Sequence, residues 1–523
     1  MTAGTVTPYR SDLRAGRDRF TNLLHAEWTK FRTVRGWVIG MVVAALVTVL
    51  LGVVTASGNH TSCGNGPVEI ACPVPPVGPE GGAVNDKFYF VHRPLTEDGG
   101  ITVRVTSMTG RIRLPDVTPG VRNEVSGLTP WAKAGVIIKD GTRQGSPYAA
   151  VMVTAEHGVR MQHNFVHDMA GRPGGVSKAS PRWLRLIRSG DTLTGYESAD
   201  GARWAKVGTV RLPGLPSTVR IGMFTASPGD LKVTQGDFGG VIVAGRFAEA
   251  TAVFDQVGVE GTANDAWRHD DIGVTKGPEG SHHPGRFEQS GGTFSVTGVG
   301  DIGPGDEGRT IESTLSGVLA GLIVVIVIAV MFITAEYRRG LIRTSLLASP
   351  RRGRVLVAKA VVIAAVTFVA GLAAAGVAVP LGTRILRANG NYVLPVSTLT
   401  EVRVVAGVAA LLAVAAVFAL ALGSLLRRGP VAITIALAAV ILPQILATAS
   451  VLPVGVAQWL LRLTPAAGFA IQQSIPEYAH VLGYHSPQGG YYPLAPWAGF
   501  AVSCGYAALA LGLAVVRLRR RDA

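Results

Sequence analysis

Three histidines, His157, His163 and His167, lie close together, with Asp168 beside the last. A four-residue spacing sets two imidazoles on one face of a helix, which suits zinc. Here His163 ends a stretch with strand periodicity and a Gly-rich loop follows, so surface and edge-strand histidines are expected and no metal is assigned. His282-His283, in a Gly/Pro loop, is a weaker pair still. Glycoside hydrolysis needs two carboxylates about 5–9 Å apart, and no acidic spacing on one strand enforces that. No G-x-x-x-x-G-K-S/T phosphate loop occurs, so ATP chemistry is not expected on this chain. No catalytic residue and no cofactor are assigned. Trp183, Tyr196 and Trp204 are candidate ligand-facing aromatics able to stack on a sugar, although such rings more often fill a sandwich core.

The elements that position these residues follow from composition. Of 523 residues, 48% are hydrophobic and 16% charged, with a net charge of +15, against about 25% charged in an ordinary soluble domain. The charge is unevenly placed. Residues 57–312 hold 25 Lys/Arg against 27 Asp/Glu, and the remainder holds 24 against 7. The basic excess therefore flanks the apolar segments, which is the mark of membrane orientation and argues against a nucleic-acid partner.

Six apolar runs are long enough to cross a hydrocarbon core of about 30 Å: Trp37–Ala56, Ser313–Thr334, Ala360–Thr383, Val404–Leu426, Pro430–Ser450 and Ala495–Val516. None contains an Asp, Glu, Lys, Arg or His. A seventh stretch, Val451–Gln473, carries Arg462 and two prolines and reads better as re-entrant or interfacial. Twenty Lys/Arg lie in one set of alternate short segments and four in the other. The expected topology is a multi-pass protein of the cell membrane with both termini cytoplasmic and residues 57–312 outside. The first run is longer than a signal-peptide core, so a retained anchor is expected. Cys63 and Cys72 would then lie in an oxidising compartment and are expected to pair.

Between Asp86 and about Val259 the pattern is all-β. Ile101-Thr-Val-Arg-Val-Thr alternates apolar and polar residues, and similar runs recur between turns at Asp140-Gly, Ser189-Gly-Asp, Asp200-Gly and Pro213-Gly. This predicts a β-sandwich core over 86–259 with a Gly-rich C-terminal extension to 312. The domains expected are thus 1–56, 57–312 and 313–523. In the first, Phe20, Leu24, Trp28 and Phe31 recur at helical spacing beside Arg19, Lys30 and Arg32. That pattern fits an amphipathic helix on the bilayer surface, and equally a plain anchor flank. Gln444 beside Pro443 is the conspicuous polar residue inside a span. The absence of intramembrane charge favours energy supplied from elsewhere over ion coupling.

Two stretches resemble known families. Phe88-Tyr-Phe, Ala132-Lys-Ala-Gly-Val-Ile-Ile-Lys, Trp183-Leu-Arg-Leu-Ile-Arg-Ser-Gly and Tyr196-Glu-Ser-Ala-Asp-Gly-Ala-Arg-Trp204 resemble concanavalin A-like sandwiches of the DUF1349 kind. That resemblance implies a jelly-roll-like fold and an association with glycans. The loop 335–359, with Glu336, Gly340, Thr344, Leu347, Pro350, Arg351 and Lys359, resembles the cytoplasmic loop of ABC-2 type permeases, and Glu27-Trp-Thr-Lys30-Phe-Arg fits the same family. It implies a permease subunit of an exporter, with a separate ABC ATPase and a second permease copy or homologue as partners. Glu336, Arg338, Arg339, Gly340, Pro350 and Arg351 then become ATPase-coupling candidates, Glu336 facing Arg338, Arg339 or the ATPase. The alternative reading is a membrane-anchored extracellular glycan-binding or sensor protein without transport.

Overall fold

The computed structural model describes residues 20–63, 72–115, 123–235, 241–261, 266–274, 276–277, 280–281, 285–305, 308–338, 352–449, 452–481 and 489–520. Its helices are α1 (Phe20–Thr33), α2 (Arg35–Gly58), α3 (Val318–Arg338), α4 (Arg352–Ala388), α5 (Thr398–Leu426), α6 (Gly429–Thr448), α7 (Val454–Leu463) and α8 (Pro496–Arg520). Six of them, α2 to α6 and α8, are long and apolar enough to cross a membrane. Between α2 and α3 stands a separate antiparallel β-sandwich.

Each apolar run forms a helix because a chain in lipid must satisfy its backbone internally. The helices nevertheless outrun the apolar stretches. The fourth has 37 residues, about 55 Å of helix, and begins eight residues before the expected Ala360. The loop expected over 335–359 therefore narrows. Residues up to 338 continue α3, those from 352 start α4, and the linker 339–351 lies outside the described residues. Lys359 and Glu336 are thus helical, so the helices do carry charged side chains where the apolar runs did not. The seventh stretch is a broken pair, α7 followed by a 3-10 segment (Pro465–Gln472) and bent by 100°. Small residues set the spacing of α2 and α3: a Cβ on Gly317 or Gly321 would lie 2.2 Å from the Thr48 carbonyl oxygen or 2.1 Å from its hydroxyl, so the backbones touch directly.

One sheet of the sandwich runs in the order Ala205–Arg211, Thr192–Ser198, Arg182–Ser189, Gly99–Arg113, Ala248–Glu260, Thr293–Gly298, Arg286–Ser290, with Glu124–Ser126 paired to Gly99–Arg113. The other runs Arg268–Ile272, Phe88–Thr96, Thr218–Ala226, Lys133–Lys139, Tyr148–Thr154, Val159–His163, His167–Ala170. Alternation places Val103, Val105, Leu184, Leu186, Val136, Ile138, Ile221 and Phe254 between them as the core. The sandwich extends beyond 86–259. Thr293–Gly298 lies within the first sheet and Ile302–Pro304 pairs with Val84–Asp86, so much of the Gly-rich extension is structural.

The two central strands of the second sheet, Lys133–Lys139 and Tyr148–Thr154, are buried on both faces. Lys133 and Lys139 point outward from one strand, yet both are fully buried. Lys139 donates to Asp86 at 2.7 Å, and Lys133 pairs with Asp301 at 2.6 Å. Burial raises the Asp86 pKa and lowers that of Lys139, each against the pull of its partner. The chain enters the sandwich past Asp86 and leaves past Asp301, so each connection to the helices is tied to the same strand.

Candidate coupling site

The residues of the two loop-like motifs converge at the end of the bundle that bears α1. Lys359, fully buried on α4, donates to Glu27 Oε2 at 2.5 Å and to Glu336 Oε1 at 2.7 Å. Lys30, one turn beyond Glu27 on α1, donates to Glu27 Oε1 at 2.8 Å and to Glu336 Oε1 at 3.3 Å. Two carboxylates and two ammonium groups balance, which is what makes their burial tolerable. Burial opposes the Lys30 charge, but the two glutamates outweigh it and its pKa is raised.

An aromatic layer fixes the geometry. Phe332, one turn before Glu336, lies 4.6 Å beneath the Lys359 ammonium. Phe31 and Trp37 meet it edge-on at 5.7 and 6.1 Å. On α1 the spacing Phe20, Leu24, Glu27, Phe31 forms one helical face, of which Glu27 and Phe31 are buried and Leu24 packs against the bundle core. Trp28 stands off that face, 44% exposed. The four aromatic and apolar residues expected to lie together are therefore divided: Leu24 and Phe31 face protein and Trp28 does not. Beside Glu336, Tyr337 lies under the Arg427 guanidinium at 5.3 Å, in the turn between α5 and α6.

Glu336 thus turns to Lys359 and Lys30 rather than to Arg338, which is exposed at the end of α3. Glu336 Oε2 is buried without a hydrogen-bond partner. Arg339, Gly340, Pro350 and Arg351 lie outside the described residues. The cluster ties α1 to the two helices that lead into and out of linker 339–351. Sequence reading singled out Glu27, Lys30, Glu336 and Lys359 by pattern but did not join them. The missed signal was Lys359 itself, a cation in the run Val355-Leu-Val-Ala-Lys-Ala-Val-Val, which needs an acid close by.

The remaining candidates lie in or near the sandwich. Cys63 and Cys72 form a disulfide. His163 and His167 stack at 4.4 Å as cross-strand partners, because a short strand, His167–Ala170, follows where a loop was expected. Burial and the neighbouring His167 lower the His163 pKa to about 4. Asp168 is held by Arg160 and Gln162, and His157 stacks on Trp131. No group of three metal-binding side chains occurs among the described residues. Trp183, Tyr196 and Trp204 are half-buried on the outer face of the first sheet, not in the core. Arg185 lies over Trp204 at 4.1 Å and Arg104 over Trp183 at 5.7 Å, so arginines stand where a sugar would stack.

A family model described as ABC-2 family transporter protein matches residues 181–523. The chain belongs to the ABC-2 transporter family. It is accordingly a multi-pass membrane protein and a permease component of an ABC transporter, a class of subunit that is generally not itself catalytic. No curated protein matches the chain. Among solved structures, similarity extends to a functionally unknown protein from Saccharomyces cerevisiae, at 13% identity over 34% of this chain and 76% of that one, with a TM-score of 0.20. Two structures of scytalido-glutamic peptidase with transition-state analogues match at 8% identity. They cover 41% and 40% of this chain and 98% of each peptidase, with TM-scores of 0.27 and 0.24.

Proposed function

We propose that this ABC-2 permease is an exporter subunit that pairs with a second permease copy or homologue. A separate ABC ATPase drives it by docking beside linker 339–351, with Arg338 and the linker residues as its contact. Both termini then face the cytoplasm, and residues 57–312, a sandwich of the concanavalin A-like kind, lie outside with the Cys63–Cys72 disulfide. The observation that carries this reading is the Glu27–Lys359–Glu336 cluster. It joins both ends of the linker to α1, giving a docked ATPase a lever on three helices at once. The basic side chains flanking that end, Lys30, Arg32, Arg35, Arg338, Arg352 and Arg354, support its cytoplasmic placement.

The test is purification of the tagged chain from its native membranes in mild detergent. A nucleotide-hydrolysing subunit should co-purify and be lost on charge reversal at Arg338 and Arg339, with the permease still monodisperse. A permease recovered without any ATPase subunit would defeat the proposal.

A further inference from the structure

At the opposite end of the bundle, where the sandwich joins, a cavity of about 340 Å³ opens between the start of α3, the end of α6, the 3-10 segment Pro465–Gln472 and residues 490–492. Its wall is apolar on one side, through Leu315, Leu319 and Phe469. The other side is polar in an unusual way. The Gln444 side chain is 4% exposed and donates to the Tyr492 hydroxyl at 3.2 Å, but its carbonyl Oε1 is buried with no partner. Gln472, 7% exposed, has a buried amide Nε2 with no partner. Each unmade bond of this kind costs about 1–3 kcal/mol, and two of them line one cavity.

The third polar group is Glu312, in the 3-10 turn that precedes α3 (Ile311–Leu315). Its carboxylate accepts from the Ser474 hydroxyl and, at 3.3 Å, from the Ser474 amide. Burial pushes its pKa up to about 7, against those hydrogen bonds. Arg403 on α5 donates to the Gln473 carbonyl oxygen; it attracts Glu312 through space but makes no direct ion pair with it. The site thus offers one carboxylate without a direct ion-pair partner, one free carbonyl acceptor and one free amide donor beside an apolar wall. A hard divalent cation takes six or more oxygen ligands, which this set does not supply.

We propose that this cavity binds an organic ammonium compound bearing a hydroxyl or carbonyl next to the amine. The ammonium lies between Glu312 and Gln444 Oε1, the neighbouring acceptor takes the Gln472 amide proton, and the apolar remainder lies against Leu315, Leu319 and Phe469. An amino alcohol has this chemistry whether it is a free amine or the ethanolamine headgroup of a lipid. The site deepens the transport reading by placing cargo at the end of the bundle away from the Lys359 cluster, and only the role of its ligand as cargo rests on that reading.

Binding is measured by calorimetry on the full chain in a non-ionic detergent at pH 8, without any ATPase, so its outcome is independent of the co-purification test. The probe is phenylalaninol, and its neutral counterpart is 3-phenylpropane-1,2-diol. Saturable binding of the amine is expected, at least tenfold tighter than of the diol, and weakened about tenfold by Glu312→Gln and by Gln444→Leu. Added phosphatidylethanolamine that competes with the probe assigns the site to a headgroup, and lack of competition assigns it to a free amine. Equal binding of amine and diol, or no binding of either, overturns the proposal using the unmodified protein alone. Amine affinity unchanged in a monodisperse Glu312→Gln variant overturns it as well.

Discussion

Two regions bury lysine with acid, and they do so differently. In the sandwich, Lys139 has Asp86 and Lys133 has Asp301, each lysine with its own partner on a sheet face closed to solvent. At the far end of the bundle, Lys359 serves two glutamates from two other helices, and Lys30 shares both of them while 40% exposed. The first arrangement pins a connection to one strand. The second distributes charge over three helices, and one member remains in reach of water. A pair has a single made state, whereas a shared set of four can lose a contact and stay paired. The latter suits a junction that must change shape without exposing a naked charge.

This difference is sharpest in double variants. Lys359→Met leaves two buried carboxylates and should destabilise the protein by about 3–5 kcal/mol, read from thermal unfolding in detergent. Adding Glu336→Gln should restore only part of that, because Glu27 remains. In the sandwich, Lys139→Met should cost a similar amount, but Lys139→Met with Asp86→Leu should recover most of it, since an ion pair replaced by apolar groups is often neutral. Full recovery at both places would erase the distinction. Next in size is Gly321→Ala, which forces α2 from α3 and should cost about 1–3 kcal/mol in the same unfolding measurement. Lys30→Met should cost under about 1 kcal/mol, because that ammonium is 40% exposed. A Lys30 effect as large as that of Lys359 would mean the cluster is a closed core like the sandwich pairs.

A pH series gives a smaller, separate signal. The Glu312 carboxyl is raised to about 7 in the folded chain, so between the ordinary carboxyl range and pH 7 the folded state holds a proton that the unfolded state has released. Its contribution is present at low pH and lost as pH rises through about 7. Arg403 and Tyr492 are the other titratable groups coupled to Glu312. The wild-type minus Glu312→Gln difference in unfolding temperature should therefore shrink from pH 5 to pH 8. A flat difference would show that the carboxyl is not displaced.

Much of this architecture is written in local sequence. The apolar runs select the helices, and the turns at Asp140-Gly141, Ser189-Gly190, Asp200-Gly201 and Pro213-Gly214 all place glycine at positive φ, as the spacing between strands requires. The limits of the helices are not local. Arg352, Arg354 and Lys359 interrupt the apolar pattern without interrupting α4, because hydropathy marks lipid contact and the helix continues past it. Lys359 and Glu27 are 332 residues apart, and no spacing rule relates them. Gln444 is conspicuous as a polar residue within a span, but Glu312 has no such contrast in a polar segment. Only the return of residues 472–474 beside it makes its carboxylate unusual.

The Lys359 cluster also has an order in time. The chain is made from its N-terminus, so Glu27 emerges with only Lys30 for company, and Glu336 follows some three hundred residues later. Neither acid gains its main partner until α4 has been synthesised and brought alongside α1 and α3. A chain stopped before that point would carry two acids near the lipid boundary with a single lysine between them. The charges of the first helix are therefore fully matched only when the helix beyond the linker is in place.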